Sequence, residues 1–241
     1  VQEIEDDEVK RVQDVLAKYD VRVYSLGSPV GKCHADDPAE QDEHHRMFDR
    51  MIELANAFGT TIIRGFALWN PRIKVEGLEG RARSTERPDL DAHLDTIVSF
   101  LGPIVSKASD AGVTLSLENE GATIGGTCAE ARRIADALDE ATGKPDGFTF
   151  CWDVVNGVHC GEQYGPEAYA HLKGRVTHLH VKPNAVKEIF PILGTEDASY
   201  DDLIRTLQAD GYIGVASVEH WGSPELMLKG VRQLRVVLDG L

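Results

Sequence analysis

The chain of 241 residues is 42% hydrophobic, 27% charged and 7% aromatic, which suits one sizeable core and an α/β barrel kept as a single domain over residues 1–241. Its 25 basic and 40 acidic residues give a formal charge of -15, which opposes binding to nucleic acid or an anionic membrane and leaves a small molecule as the expected partner. No apolar run approaches the roughly 20 residues of a membrane span, the acidic start lacks the regions of a signal peptide, and Cys33, Cys128, Cys151 and Cys160, with no C-x-x-C pair, read as reduced thiols of a cytoplasmic protein.

The opening "DDEVKRVQDVLAKYD" reads as a helix, and a strand is expected at 21–29 and another at 60–69. Between these two, His44 and His45 fall on a polar helix and are expected to be solvated. A long polar connection, 70–90, follows the second strand and could serve as a lid. Leu90, Leu94, Ile97, Val98, Leu101, Ile104 and Val105 then recur at three and four residues, the spacing of one helical face, with Pro103 as a candidate bend. Strands follow at 113–120, 148–153, 176–183 and 215–221. Thr127 and Glu130 make a capping-box pattern, and Ser223 before Pro224 opens a last helix whose face carries Met227, Val231, Leu234 and Leu238. Strands alternating with helices imply parallel pairing through right-handed crossovers, in an open doubly wound sheet or a closed (β/α)8 barrel. A closed barrel needs two strands more than the six found; they are expected upstream of Val1, with Val1 to Asp20 in the second helix and its approach.

The strand "VTLSLENE" ends in two glutamates flanking an asparagine, and side-chain alternation sorts its residues by face. Ser116 and Thr114 go with Glu118, Cys151 and Thr149 with Asp153, His178 and Lys182 with His180, and Ser217 with Glu219. The opposite faces are apolar, so in a barrel the polar face lines the lumen and Glu118, Asp153, His180 and Glu219 converge at the C-terminal rim. Three crowded carboxylates repel unless a cation compensates them. Three oxygen donors and one imidazole suit a divalent ion with octahedral leanings, Mn²⁺ first, with Mg²⁺ or Co²⁺ as alternatives. Asn119 and Trp152, on the other parity, are expected to be structural, and Glu120, beyond the strand end, to serve in a loop.

"GSPVGK", "SLENEG", "FCWDVVNGVHCG", "VTHLHVKP", "LGTEDASYDDLIRTLQADGYIG" and "VASVEHW", in that order and spacing, resemble the sugar phosphate isomerase/epimerase family. The resemblance implies a xylose isomerase-like (β/α)8 TIM barrel and the ligand set Glu118, Asp153, His180 and Glu219. It also places the first ligand on the fifth strand, which implies that two strands precede this sequence. Asn156 and Val186 stand where ketohexose 3-epimerases of the family carry His and Arg, so that particular activity is not implied, and Pro183 replaces the acid of a common H-x-K-D ending.

The expected chemistry is sugar or sugar phosphate isomerisation or epimerisation, with Glu118 and Glu219 removing and returning a proton through a metal-stabilised enediolate. Asn156, Lys182, Trp69, Lys32 and His220 are candidate substrate contacts, and Trp221 a candidate packing partner for a sugar ring. A lyase on the same scaffold, a dehydratase or deglycosylating eliminase, is the alternative. A nuclease of the endonuclease IV type would need more histidine ligands and a basic cleft, against the net charge. The sequence leaves open a homo-oligomer.

Overall fold

A computed structural model describes residues 1–71, 87–163, 165–182, 199–219 and 222–241. Helix α1 spans Asp6–Lys18 and leads to β1 (Leu26–Gly27), α2 (Pro38–Phe58) and β2 (Ile62–Gly65). Then come α3 (Leu94–Asp110), β3 (Thr114–Glu118), α4 (Cys128–Thr142), β4 (Phe148–Asp153), the short α5 (Val154–His159) and α6 (Pro166–Leu172). Strand β5 (Val176–Val181), α7 (Tyr200–Ala209), β6 (Val215–Val218) and α8 (Pro224–Asp239) complete the order. The six strands pair in parallel in chain order, β1 to β6, and among the described residues β1 pairs only with β2 and β6 only with β5.

The apolar face of each strand packs against the helices. Leu115, Leu117, Phe148, Phe150, Trp152, Leu179 and Val181 are buried, as are Ile97, Leu101 and Ile104 of α3 and Ile134 and Leu138 of α4. Both start signals operate: Thr127 accepts from the Glu130 amide while the Glu130 carboxylate accepts from the Thr127 amide, and Ser223 caps α8 with Pro224 in its first turn. Pro103 lies inside α3, which continues to Asp110.

Several expectations need correction. The strand expected at 21–29 is only Leu26–Gly27 long, since Pro29 has no N–H to give and, among the described residues, no strand pairs with residues 21–25. The helix expected from Leu90 begins at Leu94, after a turn at 89–93. His44 is buried rather than solvated: its Nδ1 accepts the Gly31 amide at 3.2 Å, and His45 Nε2 lies 2.9 Å from the Phe100 carbonyl. Most of the candidate lid at 70–90 and the residues Pro183, Val186, His220 and Trp221 lie outside the described residues.

Strand β5 departs from simple alternation. Its register with β4 skips Thr177, a bulge that turns Thr177 and His178 both inward. Thr177 Oγ1 therefore meets Ser116 Oγ at 3.2 Å and Thr149 Oγ1 at 3.0 Å across the lumen. Above the bulge the alternation resumes and carries His180 and Lys182 inward.

Candidate metal centre

The register explains how distant residues reach one level. Cys151 sits beside Glu118, so Asp153 lies two residues further along its strand; His180 sits beside Asp153, and Ser217 beside His180, with Glu219 two residues beyond. Strand tilt in a barrel turns this staircase into a single layer at the C-terminal ends. Ligand atoms of Glu118, Asp153, His180 and Glu219 all lie within 4.8 Å of one another. His180 Nδ1 is the shared centre, 3.2 Å from Glu118 Oε1, 3.3 Å from Glu219 Oε2 and 3.5 Å from Asp153 Oδ2.

The loop after each strand fixes its carboxylate. The buried Asn119 side chain accepts from the Asp153 amide at 2.7 Å and donates to the Asp153 carbonyl at 2.8 Å, locking the end of β3 to the end of β4. Asp153 Oδ1 caps the next helix by accepting from the Asn156 amide at 2.9 Å, which leaves Oδ2 for the cluster. Asn156 Nδ2 donates to Glu118 Oε1 at 3.2 Å and to the Asn119 carbonyl at 2.9 Å, and its Oδ1 accepts from Lys182 at 2.8 Å. Asn156 and Lys182, both expected at the substrate, are thus woven into the ligand cluster. Lys182 Nζ also lies 2.7 Å from Asp153 Oδ2 and 3.2 Å from Glu219 Oε2.

The carboxylates reshape the titration of the cations among them. Burial pushes the His180 imidazole down, but its neighbours Cys151, Asp153 and Glu118 outweigh that and move it up; an ion bound at Nδ1 would take the place of that proton. Burial likewise opposes the Lys182 charge, and Asp153, Glu219 and Glu118 more than restore it. For Glu219, burial favours the neutral acid, yet His180 and Lys182 hold its carboxyl well below the usual range. One layer deeper, burial followed by the charges of His180 and Arg64 pushes His178 down to about 3. His178 is therefore a neutral ring, with Nε2 2.6 Å from Ser217 Oγ and Nδ1 3.3 Å from Ser25 Oγ.

This donor set fits a divalent cation. Three carboxylates and one buried imidazole bring hard oxygen donors and a nitrogen to within 4.8 Å of one another. Such a set suits an ion that accepts ligands from several directions.

Sequence reasoning passed over Arg64. It pairs in register with Ser116, so its side chain enters the lumen, and Nη1 donates to Glu118 Oε2 at 2.9 Å. An arginine inside the apolar run "TTIIRGFALW" was the available signal. Lys32 and Trp69 come together next to it. Lys32 Nζ lies 4.1 Å from the Phe66 ring centre, 5.6 Å from that of Trp69 and 3.5 Å from Glu120 Oε2.

The family model of the xylose isomerase-like TIM barrel matches residues 1–237. The chain belongs to that family. Among solved structures, 3-keto-D-glucoside 4-epimerase YcjR from E. coli, in its apo form, shares 16% identity at a TM-score of 0.71, covering 97% of this chain and 85% of its own. A xylose isomerase-like TIM barrel protein from Mycobacterium smegmatis, in complex with magnesium, shares 20% identity at a TM-score of 0.71, covering 98% and 79%. The probable 3-DHS dehydratase AsbF from Bacillus anthracis shares 15% identity at a TM-score of 0.65, covering 97% and 82%. No curated protein matches the chain in sequence. No helix among the described residues is long and apolar enough to cross a membrane.

Proposed function

We propose that the protein is a divalent-metal-dependent sugar isomerase or epimerase in which Glu118 and Glu219 move the proton. The observation that carries this reading is the convergence of those two carboxylates, from strands β3 and β6, on the single nitrogen His180 Nδ1 at 3.2 and 3.3 Å. Glu118, Asp153, His180 and Glu219 would hold the ion, Mn²⁺ or Mg²⁺, which when bound makes a C–H beside a carbonyl more acidic by drawing charge from the oxygen. The rest is work for the side chains. Arg64 holds Glu118 Oε2 and Asn156 holds Oε1, so that carboxylate has a fixed direction. Glu219, at 29% side-chain exposure against 2% for Glu118, is the more open of the two and stays ionised beside Lys182. Removal of a proton by one glutamate and its return by the other on the opposite face inverts a carbinol carbon; return to the neighbouring carbon exchanges aldose and ketose. The likeness of fold to a keto-glucoside epimerase supports the same class of chemistry.

One observation favours elimination as a second reading. Lys182 Nζ lies 3.2 Å from Glu219, so an N–H donor that can hold the charge developing on a departing β-oxygen stands beside the base. The fold likeness to a probable dehydratase agrees with it. Incubating the metal-loaded protein with ketoses, aldoses and keto-glycosides in D₂O separates the two. Deuterium at one carbon of a substrate or isomer of unchanged composition is expected; a product lighter by one water assigns elimination, and neither incorporation nor loss of water with metal bound contradicts both.

A further inference from the structure

Proton transfer at the metal cluster uses neither Lys32 nor the free edge of Arg64, and both cations lie against one aromatic ring. The Arg64 guanidinium carbon is 5.0 Å from the Phe66 ring centre, and Lys32 Nζ is 4.1 Å from it. The chain builds this juxtaposition deliberately, through the backbone. Val30 accepts from the Phe66 amide at 2.8 Å and Cys33 from the Trp69 amide at 2.9 Å, so the loop carrying Lys32 is zipped to the exit of β2. Gly31 lies between those contacts at φ +88°, where a Cβ would overlap the Phe66 carbonyl. The one ion pair of Lys32 among the described residues, to Glu120 at 3.5 Å, is loose. Arg64 spends Nη1 on Glu118, while its Nε is buried without a hydrogen-bond partner.

The charges decide what belongs there. Among the described residues, the three carboxylate ligands would be balanced by a bound divalent ion and Lys182, with His180 a neutral ligand, and Glu120 is balanced by Lys32. Among the described residues Arg64 would then be in surplus by one positive charge, half-buried beside the Phe66 ring. A site meant for a neutral polyol alone has no use for that surplus. Resting on the proton-transfer reading above, we propose that the substrate is an acidic sugar whose carboxylate docks between Arg64 and Lys32 against Phe66 and Trp69. A planar monoanion matches both the single excess charge and the fork of a guanidinium.

Titration calorimetry of the Mg²⁺-loaded full chain with D-gluconate, the neutral D-glucitol and D-glucose 6-phosphate tests the inference. Gluconate is expected to bind roughly tenfold or more tightly than glucitol, as one charge-assisted contact allows. Lys32→Gln should erase most of that preference while leaving Mg²⁺ affinity and melting temperature unchanged, and Lys32→Arg should restore it. Equal binding of gluconate and glucitol, no gluconate binding, or a preference untouched by Lys32→Gln overturns the inference, and a stronger preference for the phosphate ester overturns its carboxylate assignment. Deuterium exchange into neutral ketoses and keto-uronic acids reports separately on proton transfer: exchange without carboxylate preference contradicts this inference alone, and carboxylate preference without exchange into either class contradicts the proton-transfer reading alone.

Discussion

At the residue scale each strand-end side chain does what its neighbours on the strand cannot. Glu219→Gln keeps an oxygen donor and leaves the other three ligands in place, so metal affinity should fall modestly while turnover drops by about 10²–10⁴-fold, the range of a lost general base. Steady-state kinetics beside a metal titration checks it, and equal losses in both would point to ligation alone. Asn119 predicts a structural cost. Its amide satisfies both the N–H and the carbonyl of Asp153 in a buried setting, so Asn119→Leu should destabilise the fold by about 2–4 kcal/mol in denaturant titration. These residues differ in how far they were legible. Alternation within a strand, a local property, picked out Glu118, Asp153, His180 and Glu219 and the structural face of Asn119. It was blind to Arg64, whose meaning depends on which residue of the next strand stands beside it. It was blind also to His44, whose burial comes from the Gly31 amide on a distant loop.

At the scale of elements, the helices were more legible than the edges of the sheet. Capping chemistry is written in three or four neighbouring residues, which is why Thr127 and Glu130 could be read directly; Thr127→Ala should cost about 1 kcal/mol, measured by thermal or denaturant melting. Strand length is a property of pairing. The 21–29 segment looks extended in sequence but forms a ladder only where β2 runs alongside it. The bulge at Thr177 is illegible for the same reason, since one skipped register position leaves no mark on composition. Gly31 shows the reverse case, a single residue on which a contact between elements depends. Gly31→Ala forces both an unfavourable φ and an overlap with the Phe66 carbonyl, so a loss of more than about 2 kcal/mol is expected, together with displacement of Lys32.

At the scale of the whole molecule, six parallel strands with an apolar face toward the helices and a polar lumen account for both the core and the site. All four cysteines are buried, and burial pushes the Cys33 and Cys160 thiols up to about 12. A disulfide-exchange reagent at pH 8 should therefore label none of them at an appreciable rate until the chain is unfolded; rapid labelling of the native protein would contradict the burial. Ligand binding to the folded state alone raises stability by mass action, so a divalent ion at about a hundred times its dissociation constant should add about 2.7 kcal/mol, and Asp153→Asn should remove that gain. The metal cluster is tested most directly by an anomalous difference map from a crystal of the Mn²⁺-loaded protein, recorded at the manganese edge. One peak per chain is expected, bonded to Glu118, Asp153, His180 Nδ1 and Glu219; a peak on any other set of residues, or no peak within that cluster, would contradict the metal centre.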